Sequence, residues 1–99
     1  MSAQTEWPFK DPENTAVIST IGIINRHEPV CLVCHGDDGS WQFLSGGPVT
    51  MADAMVVSLK EVVAFDHSLF ELADLPLGWK AVRESAHSMW QRSRQAVDE

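Results

Sequence analysis

The chain has no tyrosine, only two cysteines, and seven lysines and arginines against fourteen aspartates and glutamates. Each shortage excludes something. A formal charge of -7 argues against nucleic acid as a partner, because a phosphate backbone rewards clustered positive charge. No stretch approaches the roughly 20 apolar residues that span a bilayer, so no membrane partner is expected. The start, MSAQTEWPFK, lacks a basic segment followed by an apolar run, which makes the cytoplasm the expected compartment. Two cysteines in that setting are expected to be reduced thiols rather than a disulfide framework. There is no GxGxxG, no phosphate loop and no nucleophile spaced with a base, so catalytic residues and cofactors are expected to be none, and an enzyme is disfavoured.

What is present is globular. Hydrophobic residues make up 44% of the 99, charged residues 21%, and there are four tryptophans. A chain this short builds one core, so residues 1–99 read as a single domain. Residues 1–15 carry Pro8 and Pro12, which oppose regular structure, with Trp7 and Phe9 as apolar anchors; a packed N-terminal arm is expected. Residues 93–99 read as a frayed C-terminus within the polar stretch 91–99.

Between them the patterning predicts α+β: a mostly antiparallel sheet of four to five strands with two short helices on one face. Val17, Ile18, Ile21, Ile23 and Ile24 favour strand by β-branching, while Ser19-Thr20 and Gly22 allow a break into a capped helical turn. Val30 to His35 is apolar on both alternating faces, as in a strand inside a sheet. Gly36-Asp37-Asp38-Gly39 then supplies turn residues and Trp41 to Leu44 returns antiparallel, a β-hairpin. Met55 to Val57 suggests another strand. Ser58 and Glu61 are spaced as a capping box, and Asp66 or Ser68 opens a second helix that Pro76 stops. Gly78 to Arg83 alternates apolar and basic side chains, a strand with one wet face. Trp41 and Trp79 are expected in the core.

Cys31-Leu32-Val33-Cys34-His35 is the one motif with chemistry attached. Its spacing matches c-type haem attachment, and His27, Cys31, Cys34 and His35 compose a zinc-ligand set. A straight strand, however, sends residues 31 and 34 to opposite faces, so neither group is expected and metal ligands are none. Thioredoxin-like chemistry needs the pair at a helix N-terminus, and no helix begins there. Buried structural thiols remain. His35 beside Asp37 and Asp38 could form an acid/base cluster or line a pocket, making a small enzyme or small-ligand binder the alternative function.

Several runs together carry a resemblance. Pro12-Glu13-Asn14 before an Ile/Val run, Asp37 to Gly46 (DDGSWQFLSG), Asp66-His67-Ser68-Leu69, Leu72 to Trp79 (LADLPLGW) and Arg83-Glu84-Ser85 are similar to a widespread bacterial family of unknown function. That family is grouped with proposed immunity proteins of polymorphic toxin systems, and short proteins of this sort also resemble products of mobile gene cassettes. The resemblance covers most of residues 12–92 and implies a small cytoplasmic α+β protein that acts by binding; the loop 46–54, which departs from the family in having few acidic residues, is where partner specificity would differ. A basic protein partner would meet Asp37, Asp38, Glu61, Asp66, Glu71 and Asp74. Trp7, Met89 and Trp90 are candidate self-association residues, since a small domain has little core for terminal aromatics and a homodimer or higher homo-oligomer would cover them.

Overall fold

The computed structural model of the chain describes residues 7–47 and 51–95. Its centre is a six-stranded sheet: β1 (Ala16–Thr20), β2 (Leu32–His35), β3 (Trp41–Leu44), β4 (Ala54–Ser58), β5 (Trp79–Val82) and β6 (Gln91–Arg94), in the order β4-β1-β3-β2-β5-β6. Helix α1 (Ile21–Arg26) follows β1 directly, α2 (Leu59–Val63) follows β4, and 3-10 helices cover Met51–Asp53 and His67–Leu72. The fold is α+β.

The ambiguity around Thr20 resolves into both elements. Thr20 ends β1 in extended backbone, and its hydroxyl accepts from the Ile23 amide at 3.2 Å, starting α1 at the next residue. The helix stops at His27, which takes a left-handed conformation (φ 58) and returns its amide to the Gly22 carbonyl. Ser58 caps α2 by accepting from the Glu61 amide at 3.1 Å, and Asp66 caps the 3-10 helix through Ser68.

The hairpin forms as read. Val33 pairs with Phe43 and His35 with Trp41, and the turn closes through Gly36 N–H to Ser40 O at 2.8 Å. The Asp38 carboxylate accepts from both the amide and the hydroxyl of Ser40, and Gly39 supplies φ 90.

Three expectations are corrected. The sheet has six strands, not four or five, and is mixed, because β1 runs parallel to β3. That pairing follows from chain order: α1 turns the chain back, so β3, the second arm of the hairpin, lies beside β1 in the same direction. The sixth strand is the polar segment expected to fray. Gln91–Arg94 pairs antiparallel with β5, and the Gln95 amide donates to the carbonyls of His35 and Trp79. Residues 96–99 lie outside the described residues. Finally, Arg83 is not on the wet side of β5. It is 7% exposed, and its guanidinium bonds the Val30 carbonyl at 2.9 Å, the Ser68 hydroxyl at 3.0 Å and the Asp66 carboxylate.

The core lies on one side of the sheet. Val17, Val33, Phe43 and Ala81 meet Leu59, Val62 and Val63 of α2 and Leu69 and Leu72 of the 3-10 helix. The arm from Trp7 closes one end: Phe9 sits edge-on to Trp41 at 5.4 Å, and Trp41, 3% exposed, donates from Nε1 to the Asp11 carboxylate at 2.8 Å. Trp79 is half-buried against the same core. Residues 1–6 of the expected arm lie outside the described residues.

Candidate protein-binding surface

Register determines what the far side of the sheet presents. Side chains alternate along each strand, so with Val17, Val33, Phe43 and Ala81 inward, the residues between them face outward. Pairing aligns them in two rows. One runs Val56, Ile18, Gln42, Cys34, Lys80, Ser93; the other runs Ala54, Thr20, Leu44, Leu32, Val82, Gln91. Both helices that bury the core pack on the opposite side, and among the described residues no element covers this one. Among these twelve positions seven are aliphatic or cysteine and one, Lys80, is charged, while Thr20, whose hydroxyl caps α1, is buried. Val56 is 67% and Val82 38% exposed. An antiparallel sheet with one wet face ordinarily alternates apolar-in and polar-out. Here the outward set is apolar too.

The cysteines divide across this geometry. Cys31 is buried and packs against Gly46, while Cys34 is half-buried near the middle of the uncovered face. Burial pushes the Cys34 thiol above its ordinary pKa, and the Lys80 charge offsets part of the rise. The four residues of the candidate zinc set do not converge, and among the described residues no group of three or more His, Cys, Asp or Glu is placed to hold a metal ion.

His35, at the end of β2, lines a cleft of about 290 Å³ with Lys10, Asp11, Trp41, Asp74 and Leu75 among others. Its Nδ1 lies 2.7 Å from the Leu75 carbonyl, and because a carbonyl only accepts, Nδ1 carries the proton. The ring stacks on Trp41 at 3.8 Å. Neither Asp37 nor Asp38 lines this cleft. The aspartates that do, Asp11 and Asp74, are ones the motif gave no reason to choose, because they arrive from the arm and from the segment after the second 3-10 helix, far from His35 in the chain.

The six candidate partner-binding acids are distributed rather than gathered. Asp37 and Asp38 are exposed at the hairpin tip, Asp37 lying against Gly78, where the missing Cβ leaves room for its carboxylate. Hydrogen bonds from Ser40 hold Asp38 below the usual carboxylate range. Glu61 on α2 and Glu71 on the 3-10 helix are exposed on the helical side. Asp74 is exposed but paired with Arg92 at 2.7 Å, whose hydrogen bond and charge lower its pKa. Asp66 is committed inward to Arg83. Partial burial pushes its pKa up, but hydrogen bonds from Ser68 and Arg83 outweigh that and leave it low.

Of the three self-association candidates, two are used within the chain. Trp7 is half-buried against Phe9 and Phe70 and donates to the Asp11 carbonyl. Trp90 lies under the Arg83 guanidinium, 4.2 Å from ring centroid to Cζ, and its Nε1 donates to Ser68. Met89 is 86% exposed. The uncovered face itself was missed from sequence, although its signal was present: the double-sided apolar pattern of β2 says that both faces of the sheet are apolar, not that both are covered.

No protein-family model, curated protein or solved structure matches this chain. Among the described residues no helix is long and apolar enough to cross a membrane.

Proposed function

We propose that this chain is a non-catalytic protein-binding module whose contact surface is the uncovered face of the sheet. The observation that carries the reading is a six-stranded face with one charge among twelve positions, in a chain where about one residue in five is charged. Charge depletion with exposed aliphatics is the composition of an interface centre. An immunity-type inhibitor is the concrete form of the proposal. The exposed carboxylates of Asp37, Asp38, Glu61 and Glu71 would draw in a basic toxin, and apolar burial would hold it.

Co-expression with the protein encoded beside it tests this. A complex stable through gel filtration is expected, and Val56→Glu with Val82→Glu should abolish it while leaving the far-ultraviolet spectrum unchanged. No complex, or one indifferent to both substitutions, overturns the reading. A second reading, a small-ligand binder, is favoured by the cleft beside His35. The two separate in the same experiment, since the cleft lies on the covered side and a ligand held there would be insensitive to Val56 and Val82 but lost in His35→Ala.

A further inference from the structure

We infer that in the free protein the uncovered face is occupied by a second copy of the same chain, the two sheets packing face to face about a two-fold axis, and that a partner must displace that copy. The inference rests on the protein-binding reading above.

Charge is the first reason for choosing a second copy. In a two-fold contact each surface meets itself, so a surface rich in one sign repels its own image. Each chain carries -7, yet no carboxylate lies in either outward row, and Lys80 is the one charge to be accommodated. Asp37 and Asp38 sit at the hairpin tip, and Glu61 and Glu71 on the helical side, away from the seam.

Size is the second reason. Six strands about 4.8 Å apart and four to five residues long at about 3.3 Å each give roughly 430 Å² of sheet per chain in plan. Side-chain relief enlarges this, but it remains near the lower bound for specific interfaces, where association is weak and exchangeable. Two sheets stacked about 10 Å apart would cover Ile18, Leu32, Leu44, Val56 and Val82 and form a four-layer body with helices outside. A contact of this size shields the apolar face while free and yields to a better-matched partner.

Cys34 is a built-in reporter because it lies near the middle of the face. Sedimentation equilibrium on the intact chain should give a mass near twice 11.0 kDa at about 1 mM, falling toward 11.0 kDa below about 1 μM. Over the same range maleimide labelling of Cys34 should slow at least tenfold as concentration rises, with buried Cys31 as the internal reference. Val56→Lys and Val82→Lys should each keep native tryptophan fluorescence and stay monomeric, while Met89→Ser should associate like the parent. A monomer with concentration-independent Cys34 labelling overturns the second-copy inference. If that monomer still binds a partner through Val56 and Val82, the protein-binding reading stands alone. A dimer unaffected by substitution at Val56 and Val82 places the seam elsewhere and overturns the inference as well.

Discussion

At the scale of single residues, Arg83 does the most to tie the layers together. Its side chain is 1% exposed and spans from the Val30 carbonyl, just before β2, to Asp66 and Ser68 at the start of the 3-10 helix, with the Trp90 ring beneath it. A buried guanidinium is tolerable only while its partners remain. Asp66→Ala should therefore cost about 3 kcal/mol, measured by urea denaturation at neutral pH, and a loss below about 1 kcal/mol would show that the pair is solvated. The pH dependence has a definite sign. The folded-state pKa of Asp66 is lowered, so its contribution is fully present above the unfolded value of about 3.9 and is lost as pH falls through the lower folded value. The parent should lose stability on acidification below about pH 4 more steeply than Asp66→Asn. Arg83 was legible as a basic residue on an alternating strand, but the partners that hold it inward were not. Strand alternation places Arg83 on the side of Trp79 and Ala81, and only the oxygens gathered from positions 30, 66, 68 and 86 make that side habitable.

At the scale of elements, the caps decide where short helices begin. Neither α1, with six residues, nor α2, with five, is stable on propensity alone, so each depends on its first turn and on packing. Thr20 and Ser58 make the same hydrogen bond to the amide three residues on, but Thr20 is 4% exposed whereas the Ser58 contact is at the surface. Thr20→Val should accordingly cost about 2 kcal/mol, and Ser58→Ala about 1 kcal/mol. Equal urea midpoints for the two variants would show that burial of the cap is immaterial. The Ser58/Glu61 spacing was readable as a cap from sequence, because capping is local. β6 was not readable: Gln91-Arg92-Ser93-Arg94 has no apolar face, and it is a strand because β5 offers it an unpaired edge.

At the scale of the whole molecule, a single apolar layer lies between sheet and helices, and among the described residues no element packs on the opposite side of the sheet. If a second copy covers it, dimerisation stabilises the native state by mass action. Above the dissociation constant, each tenfold rise in protein concentration should add about 0.7 kcal/mol per chain and raise the melting temperature by about 3 to 5 °C. Calorimetry over two decades of concentration checks this, and a constant melting temperature argues for a monomer.

The sequence by itself determined what short-range chemistry controls. It determined the hairpin, through Gly36 to Gly39; the helix start at Ser58, with Asp66 or Ser68 open for the next; the separation of Cys31 from Cys34, through strand alternation; and the burial of Trp41. Only the tertiary structure decided strand order, the parallel neighbour of β1, the pairing of β6, the inward turn of Arg83 and the meeting of Asp11 with Trp41. These depend on contacts between distant parts of the chain, where the energy comes from closing a layer or satisfying a buried charge and leaves no local pattern. The uncovered face belongs to both: its apolar residues are written in the strands, but which side the helices would cover was settled by packing.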